Sequence, residues 1–217
     1  MNLPEGWKQT RLKKISQINP KVKQLHSGTE VSFLPMSAIS ENGRINFFDS
    51  IKLTNKLIKG FTKFENNDVL VAKITPCFEN YKGCLCKELK NGLGIGSTEF
   101  HVIRSGKQII SDYMFLLTRT YHFRRTGEIN MTGTAGQKRV PTIFLNNYRI
   151  NLPPISEQKA IANLLSTWDE AIDKIERLIQ AKEKICHHTA NYLLFGHRRS
   201  ENIKYSLTES IFFKVSI

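Results

Sequence analysis

Hydrophobic and polar positions follow two different rhythms on either side of Pro153-Pro154. Before that pair, residues 31–36, 69–74, 83–86 and 99–103 are short runs of apolar or β-branched side chains bounded by Gly, Asn, Asp or Pro, the pattern of strands. Residues 111–125 carry Tyr113, Leu116, Leu117 and Thr120 at helical spacing. Ser111 or Asp112 is placed to cap this segment and Gly127 to stop it, so one helix is predicted there. After the prolines, Ser156 is the expected N-cap of a helix running over residues 157–195 and ended by Gly196. Ile161, Trp168 and Ile175 recur every seven residues. So do Leu164, Ala171, Leu178, Ile185 and Tyr192, and on the next flank Leu165, Ile172, Ile179, Cys186 and Leu193.

Three adjacent apolar columns make a stripe that needs a partner. At about 1.5 Å rise per residue, roughly 40 residues span some 60 Å, longer than the preceding domain is expected to be wide. The same periodicity would serve a helix folded back on its own domain. The fold class expected is α+β: a mixed α/β domain at 1–154, a long coiled-coil-forming helix at 155–196, and a tail at 197–217. That tail opens polar and basic and closes on Ile211-Phe212-Phe213-Lys214-Val215-Ser216-Ile217, and the pattern assigns it no role.

Composition narrows the class. With 217 residues, 40% hydrophobic and 24% charged, the chain has the balance of a globular protein. No apolar run reaches the roughly 20 residues that cross a bilayer, and the first seven residues lack a secretory plan, which together predict a cytoplasmic protein without a membrane partner. Cys77, Cys84, Cys86 and Cys186 show neither zinc-type pairing nor a disulfide framework, so no metal site is expected. The net charge of +13 is unevenly spread: residues 1–155 hold 23 Lys and Arg against 11 Asp and Glu, whereas residues 156–195 hold 5 against 6. A surplus confined to one domain suits a polyanion, because each neutralised phosphate releases condensed counterions.

Familiar catalytic patterns fit poorly. Gly92-Leu93-Gly94-Ile95-Gly96 lacks the last glycine and the βαβ setting of a dinucleotide fingerprint and reads as a turn entering a strand near Glu99. Gly133-Thr134-Ala135-Gly136-Gln137-Lys138 is too short for a phosphate loop, and Arg139 stands where a magnesium-binding hydroxyl belongs. Asn151-Leu152-Pro153-Pro154-Ile155 has no aromatic to stack on a flipped adenine. Asp68, Glu88 and Lys90 match the loose carboxylate-carboxylate-lysine spacing of metal-dependent nucleases, a pattern common by chance. Cys77 and His101 lack a third catalytic partner.

Three loops, at residues 73–80, 96–100 and 131–139, are rich in small, hydroxylic, amide and basic side chains. Such groups bond phosphate oxygens or base edges, and their glycines admit a close backbone approach. The candidate DNA-binding residues are Lys73, Thr75, Asn80, Ser97, Thr98, Thr134, Gln137, Lys138 and Arg139. Asn80 and Gln137 suit adenine; Lys138 and Arg139 suit guanine or phosphate. Ordinary loop chemistry is the competing account of each residue taken alone.

Five separated motifs resemble the DNA specificity subunit of type I restriction-modification systems. They are Leu3-Pro4-Glu5-Gly6-Trp7; Phe33-Leu34-Pro35-Met36-Ser37-Ala38-Ile39; Asn67-Asp68-Val69-Leu70-Val71-Ala72-Lys73-Ile74-Thr75-Pro76-Cys77-Phe78-Glu79-Asn80; Gly96-Ser97-Thr98-Glu99-Phe100-His101-Val102; and Leu152-Pro153-Pro154 followed by Glu157-Gln158 and Ile161-Ala162. The resemblance covers residues 3–195 and implies a target recognition domain that reads half of a bipartite site, followed by a spacer helix. In that family the complete subunit carries two such units; one is present here, which implies either a homodimer or a truncated product. The pairing residues would include Ile161, Leu165, Trp168, Ile172, Ile175, Ile179 and Ile185. The family implies no catalytic residues and no cofactor in this chain. Methyltransferase subunits and a restriction/translocase subunit would be partners, holding S-adenosylmethionine, ATP and magnesium and directing DNA methylation to adenine N6. Two readings compete with this one: a stand-alone metal-dependent DNA nuclease using Asp68, Glu88 and Lys90, and a coiled-coil interaction protein whose positive charge is incidental.

Overall fold

The computed structural model describes residues 3–22, 26–134 and 136–195; the tail predicted at 197–217 lies outside the described residues. In chain order the elements are β1 (Lys8–Arg11), α1 (Leu12–Ile15), β2 (Ser16–Ile18), β3 (Glu30–Leu34), β4 (Asp49–Lys52), α2 (Asn55–Gly60), β5 (Thr62–Glu65), β6 (Asp68–Ala72), β7 (Gly83–Leu85), β8 (Leu93–Gly96), β9 (Phe100–Ser105), α3 (Ser111–Thr118), α4 (Tyr121–Ile129), α5 (Thr142–Asn147), β10 (Arg149–Leu152) and α6 (Ile155–Leu194). Chain contacts divide the molecule into one compact unit over residues 1–163 and a second from 164 onward, so the first turns of α6 count with the first unit.

Two four-stranded sheets build the first unit. One runs β2-β9-β6-β7 and is antiparallel throughout; the other runs β4-β3-β8-β5, with β3 and β8 parallel. A small β1-β10 ladder joins the beginning of this unit to the strand before α6. β6 shows how the layers stack. Alternate residues of a strand point to opposite faces. Val69 and Val71 pack with Met114, Phe123 and Leu145 of the helical layer, while Leu70 packs with Leu34 and Phe64 of the other sheet. All five β6 residues are buried, which explains an unbroken apolar run in place of alternation. Beyond the second sheet, Val31, Leu53 and Ile95 form a third cluster with Leu57 and Ile58 of α2.

Several expectations are corrected. The glycine-rich stretch at 92–96 is not a turn before a strand; β8 lies inside a sheet, between β3 and β5. Its glycines make room, since a Cβ on Gly94 would run into the Phe64 ring. Where one helix is expected over 111–125 there are two, α3 and α4. Ile110 rather than Ser111 or Asp112 is the N-cap of α3, and Thr120 starts α4 by accepting a hydrogen bond from the Phe123 amide. Gly127 stands inside α4, where the Phe78 ring leaves no space for a side chain, and ends no helix.

The long helix α6 also starts earlier than its polar signal suggests. The Pro154 carbonyl accepts from the Glu157 and Gln158 amides, which places Ser156 in the first turn and not at the cap. Its root is fixed by two side chains. Glu157 accepts from Trp7 Nε1 at 2.9 Å; fully buried Gln158 accepts from the Ile110 amide at 3.0 Å and donates to the Gln108 and Pro153 carbonyls at 2.9 Å. Ala162 is buried and Ile161 half-buried. From Leu164 to Ile185 the large apolar side chains are exposed: Leu165, Trp168, Ile172, Ile175, Ile179 and Ile185 all remain open to solvent, while Leu193 is half-buried. No helix among the described residues is long and apolar enough to cross a membrane.

Candidate nucleic-acid interface

The three loops singled out by composition are joined through their backbones. The first, leaving β6, donates the Lys73 amide to the Glu99 carbonyl at 2.8 Å. It accepts the Val140 amide on the Lys73 carbonyl at 2.8 Å and donates the Thr75 amide to the Lys138 carbonyl at 2.9 Å. Ile74 and Arg139 form an antiparallel bridge, as do Thr132 and Arg139. Lys73, Thr75, Ser97, Thr98, Thr134, Gln137, Lys138 and Arg139 therefore belong to one connected group of loops. Asn80 lies on an exposed turn of the first loop, its amide bonded to the Pro76 carbonyl at 2.9 Å. Among the described residues, no hydrogen bond ties Asn80 to the other two loops.

Thr98, Thr134, Gln137 and Lys138 are exposed; Lys73, Thr75, Ser97 and Arg139 are half-buried. The Thr75 hydroxyl donates to Glu79 Oε1 at 2.6 Å, and Ser97 Oγ accepts from the Glu99 amide at 3.2 Å. Gly133 and Gly136 hold φ of 121° and 82°, the left-handed region that glycine enters without strain, and this forms the tight tip carrying Thr134 and Gln137. Arg139 grips Glu99 with two parallel bonds, Nε to Oε2 at 3.0 Å and Nη2 to Oε1 at 2.9 Å. That hydrogen bonding holds the Glu99 carboxyl below its ordinary range.

Residues absent from the candidate set support these loops. His101 is buried: its Nε2 donates to the Val140 carbonyl at 2.7 Å, and its Nδ1 faces the Asn19 amide at 3.3 Å. A carbonyl only accepts, so Nε2 carries the proton, and Nδ1 accepts from the Asn19 amide nitrogen, which makes the ring neutral; burial lowers its pKa most, opposed by the Val140 bond, with Lys73 adding to the lowering and Glu99 opposing it. Arg124, 3% exposed, donates to the carbonyls of Thr118, Phe78 and Tyr81 and lies over the Phe78 and Tyr81 rings, fastening the first loop to α4. His101 lies within the 96–102 motif without a role being assigned to it, and Arg124 lies outside the five motifs. The sequence hint for His101 is an imidazole within an apolar run; Arg124, beside Arg125 in a polar stretch, has none.

The Asp68, Glu88, Lys90 triplet does not form a metal-binding group. Asp68 is wholly buried and its carboxylate is taken up by Arg104, at 2.7 Å to each oxygen, with the Glu65 amide adding 2.8 Å to Oδ2. Lys90 pairs with Glu30 at 3.5 Å. Among the described residues no three His, Cys, Asp or Glu side chains gather as metal ligands. All four cysteines are free, Cys84 and Cys86 being buried between the sheets.

Known proteins place this arrangement. Residues 4–184 match the family described as Type I restriction modification DNA specificity domain. Over 176 residues the chain is 42% identical to the Type I restriction enzyme EcoAI specificity subunit and also to the EcoEI specificity subunit, both of Escherichia coli. Each match takes in 81% of this chain, which spans 30% of the length of each relative. The HsdS subunit from Thermoanaerobacter tengcongensis shares the fold at a TM-score of 0.63 and 21% identity, over 87% of this chain and 48% of that one. On the strength of a match that takes in both the sheet-built unit and most of α6, the chain belongs to the type I restriction-modification DNA specificity family.

Proposed function

We propose that the chain is a non-catalytic DNA-reading unit of a type I restriction-modification complex. Residues 1–154 bind one part of a bipartite target, 155–196 space and pair the unit, and 197–217 have no assigned role. The observation that carries this reading is the union of three loops rich in amide, hydroxyl and basic groups on the +12 part of a chain of this family (23 basic minus 11 acidic residues over 1–155). Phosphate contacts by Lys73 and Lys138 would position the duplex, and Gln137, Asn80 and the hydroxyls of Thr75, Ser97, Thr98 and Thr134 would read base edges. Arg139 contributes chiefly by holding its loop.

Pairing of α6 with a second copy would set two recognition units on one duplex. Two-fold symmetry in the protein then requires a palindromic target with unread bases between its halves. Methyltransferase subunits would bring S-adenosylmethionine and flip the adenine, and a restriction subunit would bring ATP and magnesium. This assembly acts on DNA in the cytoplasm. Engagement of Asp68 by Arg104 removes the main support for a stand-alone nuclease.

Mapping of adenine N6-methylation tests the proposal, in cells expressing this chain with a matching methyltransferase subunit and in cells with that subunit alone. Chain-dependent methylation at a two-part palindrome is the expected result. Absence of any chain-dependent methylation, with both proteins soluble, overturns the reading of a working half-subunit.

A further inference from the structure

Beside the joined loops the first unit has a cleft of about 480 Å³ that shares Lys73 and Thr98 with them. Its remaining walls come from elements that the loop composition does not mark: Lys21, in the segment leaving β2, and Thr62 and Lys63 of β5. β2 is the outermost strand of one sheet and β5 of the other. The lining holds three lysines and no carboxylate. Glu65 and Asp68 pair with Arg104 and Glu99 with Arg139; two carboxylates on one guanidinium leave one negative charge, and Glu99 also acts on Lys73, so the lining keeps part of its positive charge.

Lysines on outer strands often serve only to keep a sheet edge from pairing with another chain. That account does not reach Lys73, which follows the interior strand β6 and is pinned by its amide to Glu99 and by its carbonyl to Val140. It also does not explain why Lys63 is half-buried against the cleft when an edge guard would be fully solvated. Ammonium groups attract phosphate as point charges without demanding a fixed approach, which suits a sugar-phosphate backbone running past a wall better than a terminal phosphate held in a cage.

We propose that this cleft seats a backbone phosphate of the DNA read by the adjoining loops, with Lys21 and Lys63 as phosphate contacts beyond the loops themselves. The inference rests on the DNA-reading function above. Such contacts fix register on the duplex and carry no base preference of their own.

The test measures duplex binding by the full chain across a salt series, for the wild type, Lys21→Gln/Lys63→Gln and Lys21→Arg/Lys63→Arg. Each phosphate no longer neutralised lowers the slope of log affinity against log salt by about 0.9. Loss of the one phosphate seated here is therefore expected to lower the slope of the Gln pair by about 0.9, with the preferred sequence unchanged, and the Arg pair to keep the wild-type slope. As a check independent of variant folding, bound duplex should shield Lys21 and Lys63 of the wild type from acetylation while Lys174 on α6 stays reactive. Salt-sensitive wild-type binding with an unchanged slope in the Gln pair, and no shielding, overturns the cleft but leaves DNA reading intact. Binding of inorganic phosphate at these lysines with an unmoved DNA slope makes the cleft a small-anion site and also overturns the proposal. A wild type without salt-sensitive DNA binding overturns the underlying function and the inference together.

Discussion

Arg139 and Glu99 lock two loops of the candidate interface together, guanidinium to carboxylate, through bonds of 3.0 and 2.9 Å. Lys138, the adjoining residue, is exposed and has no such tie among the described residues. The two neighbours should therefore respond differently to truncation. Arg139→Ala is expected to lower the melting temperature slightly, a solvated pair being worth little, and to loosen residues 131–139. Lys138→Ala should leave the melting temperature unchanged and lower the salt slope of DNA binding by about one contact. Thermal melts together with salt titrations of both variants check this; a lower melting temperature for Lys138→Ala with none for Arg139→Ala would reverse the assignment. The lock also has a pH limit. Because the Glu99 carboxyl is held below its ordinary range, its contribution is complete above the pKa of an unfolded glutamate and is lost as pH falls through the lowered value. Glu99→Gln should abolish that acid-side loss.

His101 titrates with the same sense for a different reason. Its ring is buried, donating to Val140 from Nε2 with Nδ1 facing the Asn19 amide, so a second ring proton has no acceptor there. Burial is the largest cause of its lowered pKa; the Val140 bond opposes that, Lys73 adds to it and Glu99 opposes it. The unfolded chain binds the proton more readily than the folded one, so stability rises with pH up to the unfolded value of about 6.5 and is then fully present. Below 6.5 it is lost until pH reaches the folded value. Melting temperatures of wild type and His101→Gln, taken between pH 5 and 7.5, should diverge in slope, the wild type falling on the acid side. Equal slopes would remove the neutral-ring account.

How far the fold was legible follows from which signals are local. β3, β6, β7 and β9 are visible as β-rich runs, and α6 announces itself by its seven-residue columns. β8 is hidden because Gly94 and Gly96 make room for Phe64 and for Leu34 of the neighbouring strand, and small residues there look like turn residues until the sheet is assembled. The break between α3 and α4 depends on Thr120 capping the second helix, a role its helical spacing disguises. At the interface, loop composition marks Lys73 and Lys138. Lys21 and Lys63 come beside Lys73 only when two separate sheets bring their outermost strands to the same cleft. Arg124 and His101 are support residues whose partners are mostly backbone carbonyls, which leave no trace in residue type.

Arg124 is the most costly of these supports to remove. It reaches the Thr118 carbonyl at 2.7 Å, Phe78 at 2.9 Å and Tyr81 at 3.4 Å, with the Phe78 ring centroid 4.8 Å from its charge. Burial, then the charge of Arg119, push its pKa down to about 9, so it stays cationic at neutral pH. Arg124→Ala takes the donor from the Thr118 carbonyl, leaves Phe78 with only the Tyr81 amide and Tyr81 with only the Arg119 guanidinium, and opens space beneath Phe78. A loss of about 3 kcal/mol is expected. Arg124→Lys should recover only part of it, since one ammonium cannot reproduce the planar fork. Denaturant melts give the stabilities, and hydrogen exchange over residues 75–82 should rise more than over β6. A variant as stable as wild type would show that the first loop holds itself.

Along α6 the side chains with no cover are the ones repeated every seven residues. Trp168 is 63% exposed, Ile172 48%, Ile175 58% and Ile179 51%, on a helix whose root at Gln158 is fully buried. Full burial of such a side chain is worth about 1.5–3 kcal/mol, so a stripe this long favours a partner helix, and a strict seven-residue repeat gives the left-handed supercoil of paired helices. With a second copy as the partner, the wild type should have twice the chain mass in solution. Ile172→Asp/Ile179→Asp places two charges in that seam and should reduce the mass to one chain. Gln180→Asp/Asn191→Asp adds the same charge at exposed positions outside the three apolar columns and should leave the pair intact. Light scattering reads the mass, and a retained melting transition of the first unit shows that each variant is folded. A folded seam variant that keeps the wild-type mass would mean that α6 does not pair through this stripe. Loss of pairing in both variants would assign the effect to total charge, whereas loss in the seam variant alone assigns it to Ile172 and Ile179.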